Sequence, residues 1–151
     1  MNYWLMKSEP SVYSINDLKR DKKTAWEGVR NYQARNFMRD KMQLEDLVLF
    51  YHSNANPPGI AGIAQISKLA YPDESAWDKK SPYYDAKSSP EKPIWLKVDV
   101  SYVSTFKNFI SLDDLKKNKS LADMMVLQKG SRLSVQPVLK EHFEFIQKLG
   151  N

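Results

Sequence analysis

Leu47-Val48-Leu49-Phe50-Tyr51-His52 is followed, after Ser53-Asn54-Ala55-Asn56, by Pro57-Pro58-Gly59 and then Ile60-Ala61-Gly62-Ile63-Ala64-Gln65-Ile66. The first run is almost continuously apolar, which predicts a strand buried on both sides. Pro57-Pro58-Gly59 marks a turn. The run from Ile60 to Leu69 predicts a second strand carrying small residues, and Gly59-Ile60-Ala61-Gly62 within it reads as space for close packing rather than as a phosphate loop.

Upstream, Tyr3 to Lys7 predicts an opening strand, ended by Pro10. Ser14 starts a short helix, with Asp17 where a capping box needs its acidic partner. A second helix fits Asn31 to Met42, with Ala34, Phe37, Met38 and Met42 at helical spacing and Asn31, Arg35 and Arg39 on another stripe. Downstream, Asp85 to Pro93 is loop-like. Ile94 to Val103 alternates, with Ile94, Leu96, Val98 and Val100 inward and Trp95, Lys97, Asp99 and Ser101 outward, as a half-buried strand does. Leu112 to Lys117 and Leu121 to Leu127 predict short helices, and Gly130 ends them. Arg132 to Val135 predicts a short strand before Pro137. The last helix, about Lys140 to Leu149, packs through Leu139, Phe143, Ile146 and Leu149 and stops at Gly150. Short strands interleaved with short helices, without a βαβ rhythm, argue against a doubly wound sheet. They predict a single α+β domain over residues 1–151, a curved mixed sheet or open barrel flanked by short helices.

Composition narrows the function classes. The 151 residues contain no cysteine, which excludes disulfides, thiolate metal sites and thiol nucleophiles. A cytosolic location is the simplest expectation, and no signal peptide is expected from the first residues. No apolar run approaches a membrane span, so no membrane partner is expected. The net charge is +5 and the pI about 9.3. Residues 1–42 hold nine basic against five acidic residues, so most of the excess sits there. Such a balance favours a polyanionic partner. Four Trp, eight Tyr and six Phe could stack on bases, or simply fill a core.

The sequence has no G-x-x-x-x-G-K-[ST], no G-x-G-x-x-G and no G-x-S-x-G. With only His52 and His142, a metal centre would need carboxylates, and neither a metal nor a cofactor is expected. His142-Phe143-Glu144 matches part of a zinc-deaminase signature but lacks its cysteines, and reads as a helix-surface histidine. His52 ends a buried strand and opens the polar run His52-Ser53-Asn54. Glu9 and His52 could do acid–base work in one pocket, but no nucleophile or orienting group accompanies them, so a binding protein rather than an enzyme is expected.

Five blocks together resemble the EVE domain, the module of the thymocyte nuclear protein family. They are Tyr3 to Pro10 with Tyr13-Ser14, Trp26 to Asn36, Leu49 to Asn54 with Gly59 to Gly62, the set Tyr71-Pro72-Asp73, Trp77-Asp78 and Tyr83-Tyr84-Asp85, and Gly130 to Val138. They come in the family's order and span nearly the whole chain. The resemblance implies a PUA-like mixed β pseudo-barrel, related to YTH domains and flanked by short helices. It also implies binding of a modified base, methylated or oxidised-methyl, in DNA or RNA. A non-base-specific, PUA-like RNA-binding domain is the alternative.

Under that reading a flipped base needs aromatic walls and a few fixed polar groups. Trp26 is the first candidate wall, with Gly28 letting backbone approach a ligand and Val29 beside it. Lys7, Ser8 and Glu9 leave the first strand where they could read a base edge. Asn31, Tyr51, His52, Ser53 and Asn54 are candidate lining. Arg30, Arg35, Arg39 and Lys41 are candidate phosphate contacts, with Arg132 either bordering the pocket or tying the last strand to the barrel. The oligomeric state is left open, with a monomer as the default expectation.

Overall fold

In the computed structural model, which describes residues 1–151, the elements in order are β1 (Tyr3–Ser8), α1 (Ile15–Asp21), β2 (Lys23–Trp26), α2 (Tyr32–Asp40), β3 (Leu47–His52), β4 (Gly59–Pro72), β5 (Leu96–Ser111), α3 (Leu112–Lys116), β6 (Val135–Val138) and α4 (Lys140–Gly150). Single 3-10 turns occupy Glu74–Trp77, Lys119–Leu121 and Met125–Leu127. The strands form one sheet in the order β2-β5-β4-β3-β1-β6, parallel only between β1 and β3. The class is α+β, as expected.

The apolar run of β3 does what its composition predicts. Val48 and Phe50 enter one core with Trp4, Met6, Trp26 and Val100, covered by Ile15 and Leu18 of α1 and by Ala34 and Met38 of α2. Leu49 and Tyr51 enter a second core with Leu5 and Ile60, covered by Leu115 of α3 and by Phe143 and Ile146 of α4. Both faces are thus dry, and alternate residues serve opposite cores. The helices start where their caps require. Ser14 Oγ accepts from the Asp17 N–H and the Asp17 carboxylate accepts from the Ser14 N–H, while Asn31 Oδ1 accepts from the Ala34 N–H.

Several elements differ from expectation. β2 has no period to betray it, being only four residues at the sheet edge. β5 runs on to Ser111, because four register shifts against β4 bend the pair and carry β5 from the first core (Val98, Val100) to the second (Phe106, Ile110). A side chain at Gly59 or Gly62 would meet the β5 backbone at Ile110 or Ser104, so the small residues of β4 serve close packing. Trp95 and Lys97 are buried rather than outward, since the segment 73–95 folds over that end of β5. β6 begins only at Val135, leaving Arg132 and Ser134 before the strand. Leu121 to Leu127 holds two 3-10 turns instead of a helix. His142 is buried, and Gly150 lies within α4 against Phe106.

Candidate nucleic-acid interface

The sheet does not close. The edge strand β2 nevertheless faces the end of β1 and the segment before β6 across a hollow of about 600 Å³, within the usual range for ligand sites. The β2 side supplies Thr24, Ala25, Trp26 and the following Glu27, Gly28 and Val29. The other side supplies Lys7 and Ser8 from the end of β1, with Arg132 and Ser134 ahead of β6. Glu9, Val12, Tyr13, Ser53 and Tyr83 complete the rim. The hollow is the gap in the pseudo-barrel.

Trp26 is 8 % exposed and packs edge-on against Phe50 at 5.4 Å, so the core fixes its plane. Every buried side-chain N or O atom in the chain has a partner, whereas Trp26 Nε1 makes no hydrogen bond. Its N–H is therefore accessible, and the open part of the indole is the part that lines the hollow. Gly28 follows at φ +85°, and a Cβ there would lie 2.7 Å from the Tyr83 ring. Only glycine allows that approach.

Asp73 ties this wall together. Its buried carboxylate accepts from the Gly28 N–H at 2.9 Å, from Arg30 at 3.1 Å, and from the Ser75 N–H and hydroxyl at 3.0 and 2.6 Å. Burial pushes this carboxyl up, but the bonds from Gly28, Ser75 and Arg30 outweigh it and hold the group below its ordinary value. Arg30 donates twice to the Tyr83 carbonyl, at 2.9 and 2.7 Å, and once to the Val29 carbonyl. The guanidinium also sits 5.8 Å from the Tyr83 ring centroid. Tyr83 is thus held over Gly28 by an arginine whose donors are spent inside the protein.

The facing wall is tied more loosely. Ser8 Oγ donates to the Tyr13 carbonyl at 2.5 Å, and the Lys7 N–H donates to Ser134 O at 2.9 Å. The Lys7 ammonium lies 5.8 Å from the Tyr51 ring and has no carboxylate partner, and burial pulls it below the ordinary lysine value. Of the five arginines, Arg132 alone makes neither a hydrogen bond nor an ion pair, and it stands exposed at the rim. Glu9 is exposed beside it.

Of the expected site residues, Lys7, Ser8, Glu9, Trp26, Gly28, Val29, Ser53 and Arg132 meet at the hollow. Four do not. Asn31 is spent capping α2, and Tyr51 points into the second core. His52 accepts the Ile15 N–H on Nε2 at 3.2 Å and packs on Phe50, so it shares no pocket with Glu9. Asn54 turns the chain at φ +49° in solvent. The expected phosphate contacts also need correction, because none of Arg30, Arg35, Arg39 and Lys41 lines the hollow. Arg30 is the clamp just described. Arg35 is bound to the Ile94 carbonyl and Asn36, and Arg39 to Asp40. Lys41 ends α2 beside a second, shallow groove near Tyr3 and Leu139. Sequence reasoning missed Tyr83 as a wall, although Tyr83-Tyr84-Asp85 stood among the blocks of the resemblance. No three His, Asp or Glu side chains are grouped to hold a metal.

The EVE domain family model matches residues 2–149. Thymocyte nuclear protein 1 of Rattus norvegicus is 47% identical over 98% of this chain and 73% of its own length. A crystal structure of a Pseudomonas syringae protein superposes with a TM-score of 0.95 at 51% identity, covering 99% of each chain. The human THYN1 protein, solved in complex with 5-methylcytosine containing DNA, superposes with a TM-score of 0.92 at 44% identity, covering 100% of this chain and 98% of that one. The curated relatives are named as nuclear proteins, which overturns the cytosolic expectation. Nucleus and cytosol both keep thiols reduced, so missing cysteines cannot separate them. From the match along nearly its entire length, the chain belongs to the EVE domain family.

Proposed function

We propose that this protein binds DNA carrying a modified base, 5-methylcytosine or a relative of it, and holds that base flipped out of the stack in the hollow between β2 and the end of β1. The observation that carries the reading is the Trp26 indole, fixed by the core yet open to a cavity of base-accommodating size. The human relative solved with 5-methylcytosine containing DNA supports the same ligand class. Trp26 and Tyr83 would form aromatic walls. Ser8 and Glu9 would meet the base edge, with Glu9 accepting from an exocyclic amine. Arg132 and Lys7, whose charges no carboxylate answers, would meet the phosphates flanking the extruded nucleotide.

Magnitudes make the scheme workable. Stacking on aromatic walls contributes about 1–3 kcal/mol per base, and extrusion costs a few kcal/mol. The two nearly offset, so discrimination falls to the edge contacts and the added methyl. Burying one methyl contributes about 0.8 kcal/mol, roughly a fourfold preference. The test is fluorescence anisotropy on DNA duplexes identical except for one modified base. The modified duplex should bind several-fold tighter, and Tyr83→Ala should erase the difference, as should Trp26→Phe in a chain whose circular dichroism is unchanged. Equal affinity across a panel of modified and plain bases would overturn the reading. Should Arg132→Ala weaken both duplexes equally in that case, only a backbone binder would remain.

A further inference from the structure

Tyr32, the first residue of α2, is 56 % exposed, yet its ring is anchored. The Trp95 ring lies 4.8 Å from its centroid and the Arg35 guanidinium 4.9 Å, while Arg35 and Trp95 are 6.0 Å apart. Those three separations make an acute angle at Tyr32. Both partners therefore crowd one sector around the ring, while more than half of the residue stays open to solvent. The supports are themselves fixed. Trp95 is 4 % exposed and donates its indole N–H to Asp85 at 2.7 Å, and Arg35 is bound to the Ile94 carbonyl and to Asn36. An exposed ring already held in place loses little freedom when a second ring lies on it.

The same stack leads back to the hollow. Trp95 lies 5.6 Å from the Arg30 guanidinium, which lies 5.8 Å from the Tyr83 ring. Tyr32 and Tyr83 therefore belong to one rigid wall, three short contacts apart, one ring lining the hollow and the other outside it. The donors of Arg35 are directed to Ile94 and Asn36, so its role here is to hold the ring.

We propose that the exposed ring of Tyr32 is a second nucleic-acid site, a stacking platform for an unpaired base in the same strand as the base held in the hollow. The inference rests on the hollow being a base site. It adds a sequence-tolerant contact, because every base offers a π-face. Arg35 takes a positioning role here, since it holds the ring instead of a phosphate.

Anisotropy on short single-stranded DNA with one central 5-methylcytosine tests it, with abasic sites placed in turn at each flanking position. Tyr32→Ala should weaken binding about 5- to 100-fold, the value of one base–aromatic stack, and Tyr32→Phe should stay within about twofold of wild type. One flanking abasic site should weaken wild type by the same factor and leave Tyr32→Ala no weaker than before. A purely structural Tyr32 would lose affinity equally with and without each flanking base, and that result overturns the platform. So does unchanged affinity in Tyr32→Ala while Trp26→Phe abolishes binding, which would leave the hollow reading intact. Failure of wild type to bind any of these oligonucleotides would overturn the platform, and equal affinity for the modified and plain duplexes would overturn the hollow reading as well.

Discussion

Two walls of one hollow are built by opposite means. On the β2 side, the Asp73 and Arg30 side chains make eight hydrogen bonds, one to each other and seven to Gly28, Val29, Ser75 and Tyr83, and the aromatic surface they fix has almost no freedom left. On the β1–β6 side the backbone is held in the sheet but the side chains are freer: Ser8 Oγ makes one hydrogen bond, and the cationic tips of Lys7 and Arg132 have no hydrogen-bond or carboxylate partner. A planar ring needs a wall already in place, because alignment obtained only on binding would cost entropy. A phosphate needs only a charge that can follow it. The contrast therefore separates shape recognition from charge attraction across the gap.

Breaking the rigid wall should have the largest effect. Asp73→Ala leaves the Arg30 charge and the Gly28 N–H without their acceptor and should cost about 3–5 kcal/mol of stability. Urea unfolding checks it, and Arg132→Ala in the same assay should stay within about 0.5 kcal/mol of wild type. Next, Gly28→Ala places a methyl against the Tyr83 ring at a positive φ, which should cost about 1–3 kcal/mol. It should also reduce affinity for modified and unmodified DNA unequally, which a titration on paired duplexes would detect. The cationic side should respond in binding alone. Arg132→Ala should lower affinity for any duplex and reduce the salt slope by about 0.9, whereas Arg35→Ala should leave that slope unchanged and cost about 1 kcal/mol of stability.

The smallest expected effect lies outside the hollow, at His52. Only a neutral ring can accept the Ile15 N–H on Nε2, and burial already lowers its pKa from the ordinary 6.5. A folded value below the unfolded one means its contribution is complete above pH 6.5 and is lost as pH falls through the lowered value. His52→Asn should flatten the pH dependence of stability in that window. An unchanged slope would remove His52 from the account.

Much of the scaffold was legible in the sequence because its signals are local. The Ser14 capping box and the burial of β3 on both sides each follow from a few adjacent residues. β2 escaped because Lys23-Thr24-Ala25-Trp26 is too short to show a period, and its pairing with β5 is specified from far along the chain. Trp26, Gly28 and the Lys7-Ser8-Glu9 exit were legible as candidates from the resemblance and residue type. The error over the arginines has a physical source. Sequence gives the charge of Arg30, Arg35 and Arg39 but not the Tyr83 carbonyl, Ile94 carbonyl and Asp40 that consume it, two of which are backbone atoms more than fifty residues away. Tyr83 sits in a loop with no periodicity, so only its contact with Gly28 reveals its place.

An unclosed sheet exposes two rows of unpaired backbone groups, and such rows recruit strands from other molecules. Here β2 and β6 are each only four residues long, and β6 contains Pro137, which has no N–H to offer. The gap can thus stay available without inviting self-association. Any molecule seated in it would also bridge β2 and the end of β1, which are far apart in the sheet order, raising the melting temperature with its concentration as mass action requires.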